Sequence, residues 1–274
     1  MRIFASILTA TLSLVAPSTH ADTTSSLIRL TDREDLFGWE AVGRLNLGKS
    51  GYCTGTLIDN DLVLTAAHCV FDPKTKTFIP PANVTFQAGL RDGKFIEEAK
   101  AAKIAVHANY NPRARISNEY VRHDVALIKL EKAITTFAAS PFKLHTGVAP
   151  GKSVNVVSYG RGRDDALSWQ RNCNITNRFS ALFKFNCNVT YGSSGGPVFV
   201  KEGHNFRILS LISVGHKKGG ETVSYGMELP EMVALLKKNL THNGSYTSGR
   251  QTNAPRHITV DSNKSTSGAK FIRN

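Results

Sequence analysis

Three short stretches hold residue types that together can cleave an acyl bond. Val63-Leu64-Thr65-Ala66-Ala67-His68-Cys69 is an apolar run that delivers a histidine beside a cysteine. His123-Asp124-Val125-Ala126-Leu127-Ile128 sets an acid at the mouth of a second apolar run. Gly192-Ser193-Ser194-Gly195-Gly196-Pro197-Val198 is a glycine-rich turn holding Ser194. A serine hydroxyl is a poor nucleophile until a base removes its proton during attack. A neutral histidine titrates near working pH, so it can take that proton and return it to the leaving group. A carboxylate bonded to the far ring nitrogen fixes the tautomer and stabilises the imidazolium. The glycines let the backbone turn its N–H groups toward one point, where a developing oxyanion would sit. Taken singly, each stretch has an ordinary structural reading as a core histidine, a strand-initial cap or a plain turn.

These side chains must be held by strands. Short β-branched apolar runs recur at 55–58, 62–64, 84–88, 103–106, 125–130, 153–157 and 206–214. Turn-forming clusters such as Asp72-Pro73, Pro80-Pro81, Arg91-Asp92-Gly93 and Pro150-Gly151 separate them. Many short strands at this spacing predict an all-β barrel or sandwich. A helix is predicted over 228–240, with Pro230 near its start and Met232, Leu235, Leu236 and Leu240 on one face. No internal repeat signals a solenoid or propeller. Gly192 to Gly196 also fits the G-x-S-x-G elbow of α/β-hydrolases. That fold orders its residues Ser, acid, His, whereas His68 and Asp124 both precede Ser194, and alternating helices are missing.

The N-terminus bears on compartment. Arg2, an apolar run over 3–16 and the small residues ending at Ala21 predict a secretory signal peptide, 1–21, cut after Ala21. A run of that length is short for a membrane span, and no other segment approaches one. All four cysteines, Cys53, Cys69, Cys173 and Cys187, lie beyond the cut, and an even count in an exported chain predicts two disulfides. Four cysteines allow three pairings. Cys53 with Cys69 and Cys173 with Cys187 are the short-range closures, each adding roughly 3 kcal/mol by loop entropy. With no C-x-x-C pair, no zinc site is expected, nor any other metal or cofactor.

Taken together and in this order, the stretches resemble the chymotrypsin/trypsin-like serine endopeptidases. Cys53-Thr54-Gly55-Thr56-Leu57-Ile58 and Leu64 to Cys69 match the strand pair carrying the family's histidine and its adjacent disulfide. Asp124-Val125-Ala126-Leu127-Ile128 matches the acid segment, and Gly192 to Pro197 the nucleophile loop. Ser210-Leu211-Ile212-Ser213-Val214-Gly215 looks like the strand that pairs with substrate backbone. The resemblance covers roughly 39–240 and implies two six-stranded antiparallel β-barrels, an active site between them and a C-terminal helix. It makes His68 the general base, Asp124 its orienting acid and Ser194 the nucleophile. The N–H groups of Gly192 and Ser194 would form the oxyanion hole. Asn188, Ser213 and Gly215 would contact substrate, with Ser213 also holding Asp124.

The departures from the pattern are informative. Ser193 stands where most animal members keep an Asp that pairs with a freed N-terminal ammonium. No Ile-Val-Gly-Gly-like start occurs between Asp22 and Arg44, so activity is expected not to depend on that insertion. Cys187 and the loops look closer to the bacterial secreted, glutamyl-endopeptidase-like branches. Asn188 falls at the base of the primary pocket, where trypsin-like members keep an Asp, so a preference for Lys or Arg is not implied. Ile212 replaces the histidine of glutamate-specific relatives. His216, Lys217 and Lys218 nearby would suit acidic substrates, though a solvated loop accounts for them as simply.

The expected organisation is a leader (1–21), an N-terminal segment or short propeptide (22–38), a protease domain (39–240) and a basic, disordered tail (241–274). Lys and Arg number 34 against 21 Asp and Glu in 274 residues, a formal charge of +13. The tail carries five of these bases and one acid, a net of +4. Hydrophobic content of 41% excludes global disorder. Such a surplus favours polyanion contact through the surface and tail. No nucleic-acid-binding motif accompanies it, so no specific nucleic acid is expected. The six N-x-Ser/Thr sequons, beginning at Asn83, Asn174, Asn188, Asn239, Asn243 and Asn263, are read as chance in a prokaryotic export substrate. The reading is a secreted or periplasmic monomeric serine endopeptidase acting on proteins or peptides through an acyl-enzyme. Its rival is a catalytically silent homologue acting as a cationic polyanion-binding module.

Overall fold

The computed structural model describes residues 26–241, together with the strands Tyr246–Thr247 and Lys270–Ile272. The predicted leader, and the tail beyond Thr241 apart from those two strands, lie outside the described residues. Six strands close the first barrel. Their order is Glu97–Val106, Thr85–Ala88, Val42–Asn46, Tyr52–Asp59, Leu62–Thr65 and Ala126–Leu130, with the last pairing back on the first. Leu45, Leu57, Val63, Phe86, Ile104 and Ile128 share one face of this sheet, Leu64 and Leu127 lie on the other, and all are fully or almost fully buried.

The second sheet system orders Asn205–Leu211, Pro197–Glu202, Ser153–Gly160, Arg163–Phe179, Leu182–Phe185, Glu221–Met227 and Val214–Lys218. Its two ends are successive lengths of one strand, broken at Ile212-Ser213. At the break the Ser213 N–H donates to the Tyr225 carbonyl at 2.9 Å, and Ser210 Oγ donates to the Met227 carbonyl at 2.7 Å. Counted once, the broken strand brings the system to six strands; where the resemblance implies two six-stranded β-barrels, the fold is all-β with one closed six-stranded barrel and a second six-stranded sheet system.

Between the two systems Trp39 lies against Trp169, Phe199, Phe206 and Phe142, with ring centroids 5.0, 5.3, 4.9 and 6.0 Å away. Such pairs contribute about 0.5–1.5 kcal/mol each beyond their buried area. The C-terminal helix, Pro230–Thr241, begins two residues later than predicted. It buries Val233, Leu236 and Leu240, whereas Leu235, expected on that face, is 42% exposed. Residues three and four apart share a helix face, and Leu235 is turned about a quarter-turn from Leu236. The helix packs back on Glu97–Val106 and Ala126–Leu130 of the first barrel.

Three short strands run along the outside. Leu27–Arg29 pairs antiparallel with Ser168 to Gln170 of the long strand, so the N-terminal segment lies along the second sheet system. Tyr246–Thr247 pairs antiparallel with Glu97–Val106 of the first barrel. Lys270–Ile272 pairs parallel with Val214, Gly215 and His216.

Candidate active site

His68 sits in a short 3-10 turn, Ala67–Val70, directly after Leu62–Thr65. Its neighbour Cys69 is disulfide-bonded to Cys53 on the adjoining strand, which pins the turn to the barrel. Asp124 follows a short helix, Asn118–His123, that sequence periodicity is too short to reveal. Ser117 caps this helix by accepting the Tyr120 N–H at 3.2 Å. Thr65 is paired with Ala126 on the neighbouring strand, so His68 and Asp124 emerge from the same end of adjacent strands.

Their geometry is tight. Asp124 Oδ2 accepts from His68 Nδ1 at 2.7 Å and from Ser213 Oγ at 2.5 Å, and Oδ1 accepts the His68 main-chain N–H at 2.8 Å. Asp124 has no exposed surface, so its charge is held entirely by these donors. Beneath it Tyr110 and Tyr120 share a hydrogen bond of 2.6 Å. Burial, then the Asp124 charge, pushes the titration of both phenols up, which keeps them neutral donors.

Ser194 comes from the second sheet system, on the loop 186–196. Its Oγ lies 2.8 Å from His68 Nε2. Cys173 and Cys187 are disulfide-bonded at the start of this loop. At its end the Gly195 N–H donates to the Ile212 carbonyl at 2.8 Å, and the Ile212 N–H donates to the Gly196 carbonyl at 2.9 Å. Gly195 has φ +74°, and a Cβ there would stand 2.1 Å from Thr65 Oγ1 and 2.3 Å from the Thr54 carbonyl. Only glycine allows the loop to approach the first barrel that closely.

Thr54 clasps the loop from the first barrel. Its N–H donates to the Ser194 carbonyl at 2.9 Å, and its Oγ1 donates to the Gly192 carbonyl at 2.8 Å. The hairpin after Ser153–Gly160 holds the opposite side, where the Arg161 N–H donates to the Tyr191 carbonyl at 2.7 Å. In a trans peptide the carbonyl and the following N–H point in opposite directions, so the Gly192 N–H faces away from Arg161. Among the described residues neither the Gly192 nor the Ser194 N–H has a protein acceptor.

The other sequence-derived candidates are placed as follows. Ser213 joins His68, Asp124 and Ser194. Gly215 lies in Val214–Lys218, the edge bordered by Lys270–Ile272. Asn188 is exposed, with its N–H donating to Gln170 Oε1 at 2.6 Å and Thr222 Oγ1 3.5 Å from its Oδ1. Ile212 is fully buried in the second core. Cys53, Cys69 and His68 lie within metal-ligating distance of one another, but the two sulfurs are bonded together and offer no thiolates. Against the loop 186–196, a cavity of about 240 Å³ is lined by Gly51, Tyr52, Arg161, Gly162, Asp164, Tyr191 and Gly192. Sequence reading missed Thr54, Arg161 and Arg163, because a threonine in a strand or an arginine in a turn carries no periodic signal.

The family model described as trypsin matches residues 33–228. The chain belongs to the trypsin family. A cercarial protease of Schistosoma mansoni is 27% identical over 217 residues, 67% of this chain and 74% of that one. Granzyme E of Mus musculus is 36% identical over 121 residues, and the match spans 42% of its length. A solved Glu endopeptidase superposes with a TM-score of 0.60 at 18% identity, covering 74% of this chain and 92% of that one. At that identity the likeness speaks for the fold. The chain's two disulfides fall on the loops carrying its histidine and serine. No helix among the described residues is long and apolar enough to cross a membrane.

Proposed function

We propose that the protein is an exported serine endopeptidase that hydrolyses peptide bonds through an acyl-enzyme. The observation that carries this reading is the relay from Ser194 Oγ to His68 Nε2 at 2.8 Å and from His68 Nδ1 to Asp124 Oδ2 at 2.7 Å. Ser194 Oγ attacks the scissile carbonyl carbon while its proton passes to His68 Nε2. The carbonyl oxygen takes the negative charge and meets the N–H groups of Gly192 and Ser194. As the C–N bond breaks, His68 returns the proton to the departing amine, leaving an ester on Ser194. Water then attacks the ester by the same proton path and restores the hydroxyl. Asp124, fixed by Ser213 and by the His68 main chain, keeps the imidazole in the required tautomer.

Val214 and Gly215 would take the substrate backbone along their strand edge. Asn188 offers hydrogen bonds without charge, which argues against selection for Lys or Arg. Residues 1–21 would direct export and be removed, in keeping with two disulfides that need an oxidising compartment. A fluorophosphonate probe is expected to label the purified, leader-free protein on Ser194 and to leave Ser194→Ala unlabelled. A folded wild type that takes no label would refute the reading.

A further inference from the structure

The residue before the nucleophile is Ser193, fully buried and neutral. It is the hub of a polar cluster behind the loop. Ser193 Oγ donates to the Tyr159 carbonyl at 2.9 Å and accepts the Thr190 N–H at 3.2 Å, while Ser158 Oγ lies 3.2 Å away. Arg163 closes the cluster. One guanidinium nitrogen donates to the Ser158 carbonyl at 2.5 Å, and the other to Ser193 Oγ at 3.1 Å and Ser158 Oγ at 3.3 Å.

Among the described residues no carboxylate forms an ion pair with Arg163. Burial of its cation lowers its pKa to about 10, so the charge is still present at neutral pH. Room for the group is built in. A Cβ on Gly160 would stand 2.7 Å from both Arg163 Cζ and Thr190 Cγ2, so the guanidinium lies over bare backbone. A buried cation served only by neutral acceptors is costly, and an apolar side chain would fill the space at less expense. What the arginine adds is direction, because its fork fixes Ser193 and Ser158 at once.

We propose that Arg163 is a positioning residue for the oxyanion loop: through Ser193 it locks residues 191–194 in the reactive conformation, from inside the fold and without an N-terminal ion pair. The N-terminal segment is placed accordingly, with Leu27–Arg29 along Ser168 to Gln170 on the sheet. The hairpin 160–163 then grips the loop at two points, Arg161 on the Tyr191 carbonyl and Arg163 on the Ser193 hydroxyl. The catalytic half of this inference rests on the endopeptidase reading above.

The test compares wild type, Arg163→Gln, Ser193→Ala and the double variant, each as the leader-free full chain. Two readouts are taken, the kinetics of fluorophosphonate labelling and backbone hydrogen exchange. Each single change is expected to lower the maximal labelling rate roughly 100-fold, as loss of an oxyanion donor does, with the concentration for half-maximal rate within about threefold. The double variant should be no slower than the slower single, since both changes cut one path. Exchange in residues 189–196 should quicken in all three variants. Labelling at the wild-type rate, a double effect equal to the product of the singles, or unchanged exchange in that segment would overturn the brace. If wild type itself takes no label, the endopeptidase reading falls, and the exchange data alone decide whether Arg163 holds the loop.

Discussion

Ser213 Oγ donates to the same oxygen of Asp124, Oδ2, that receives His68 Nδ1, at 2.5 and 2.7 Å respectively. The acid is therefore held by one residue from each sheet system. Asp124→Asn keeps the shape but presents an amide where an acceptor is needed. It is expected to lower kcat on a peptide substrate by about 10⁴-fold. Ser213→Ala leaves the imidazole its partner and should lower kcat by about tenfold. Steady-state kinetics on both variants separate the two roles, and an Asp124→Asn enzyme near wild-type rate would contradict the assignment.

Thr54→Val tests the clasp. The threonine hydroxyl donates to the Gly192 carbonyl at 2.8 Å and accepts the Tyr159 N–H at 3.1 Å. Valine preserves the volume and strands both buried groups. The variant should lose about 1–3 kcal/mol of stability per stranded group. Denaturant unfolding measures this, and kcat should fall with it because the Gly192 carbonyl is released.

Acid should weaken the fold near His107. Its ring stacks on His123 with centroids 4.4 Å apart, and its Nδ1 accepts the Asn109 N–H at 3.2 Å. Burial first, then the His123 charge, lowers its pKa below the ordinary histidine value, against a smaller opposing pull from Glu119. Above about pH 6.5 the ring is neutral in folded and unfolded chains alike and carries no penalty. As pH falls through that value the unfolded chain takes the proton first, so stability drops until the folded pKa is passed. Melting temperatures between pH 7.5 and 5 should fall less steeply for His107→Phe than for wild type. Parallel curves would show that the group is not involved.

The strand Lys270–Ile272 runs beside Val214, Gly215 and His216, the edge assigned above to substrate backbone. A backbone edge can be paired by only one strand on that side. Deleting residues 270–274 is therefore expected to lower KM for an extended peptide several-fold, with a smaller effect on a short ester substrate. Equal KM values for the full and shortened chains would show that the two do not compete.

Much of this arrangement is legible in the sequence because it depends on local pattern. Apolar alternation around Leu64 and Leu127 locates the two strands whose shared end presents His68 and Asp124. The glycines around Ser194 mark the tight loop. The 17-residue strand Arg163–Phe179 is not legible, since its register slips against Ser153–Gly160 and many of its side chains are polar and face outward. The helix before Asp124 spans six residues, less than two turns, so no period could announce it. Thr54 and Arg163 are harder still. Thr54 meets Gly192, 138 residues away in sequence, only through the packing of the two sheet systems, and Arg163 meets Ser193, 30 residues away, only through the folding of the second.

His68 and Asp124 come from the first barrel and Ser194 from the second sheet system, with the connection 131–152 between them. Each half taken alone would carry only part of the relay proposed above. A chain severed within that connection would hold the proposed nucleophile in one fragment and its proposed base in the other. Turnover would then count reassembled molecules, making the chemistry itself a coincidence detector for the meeting of the two halves.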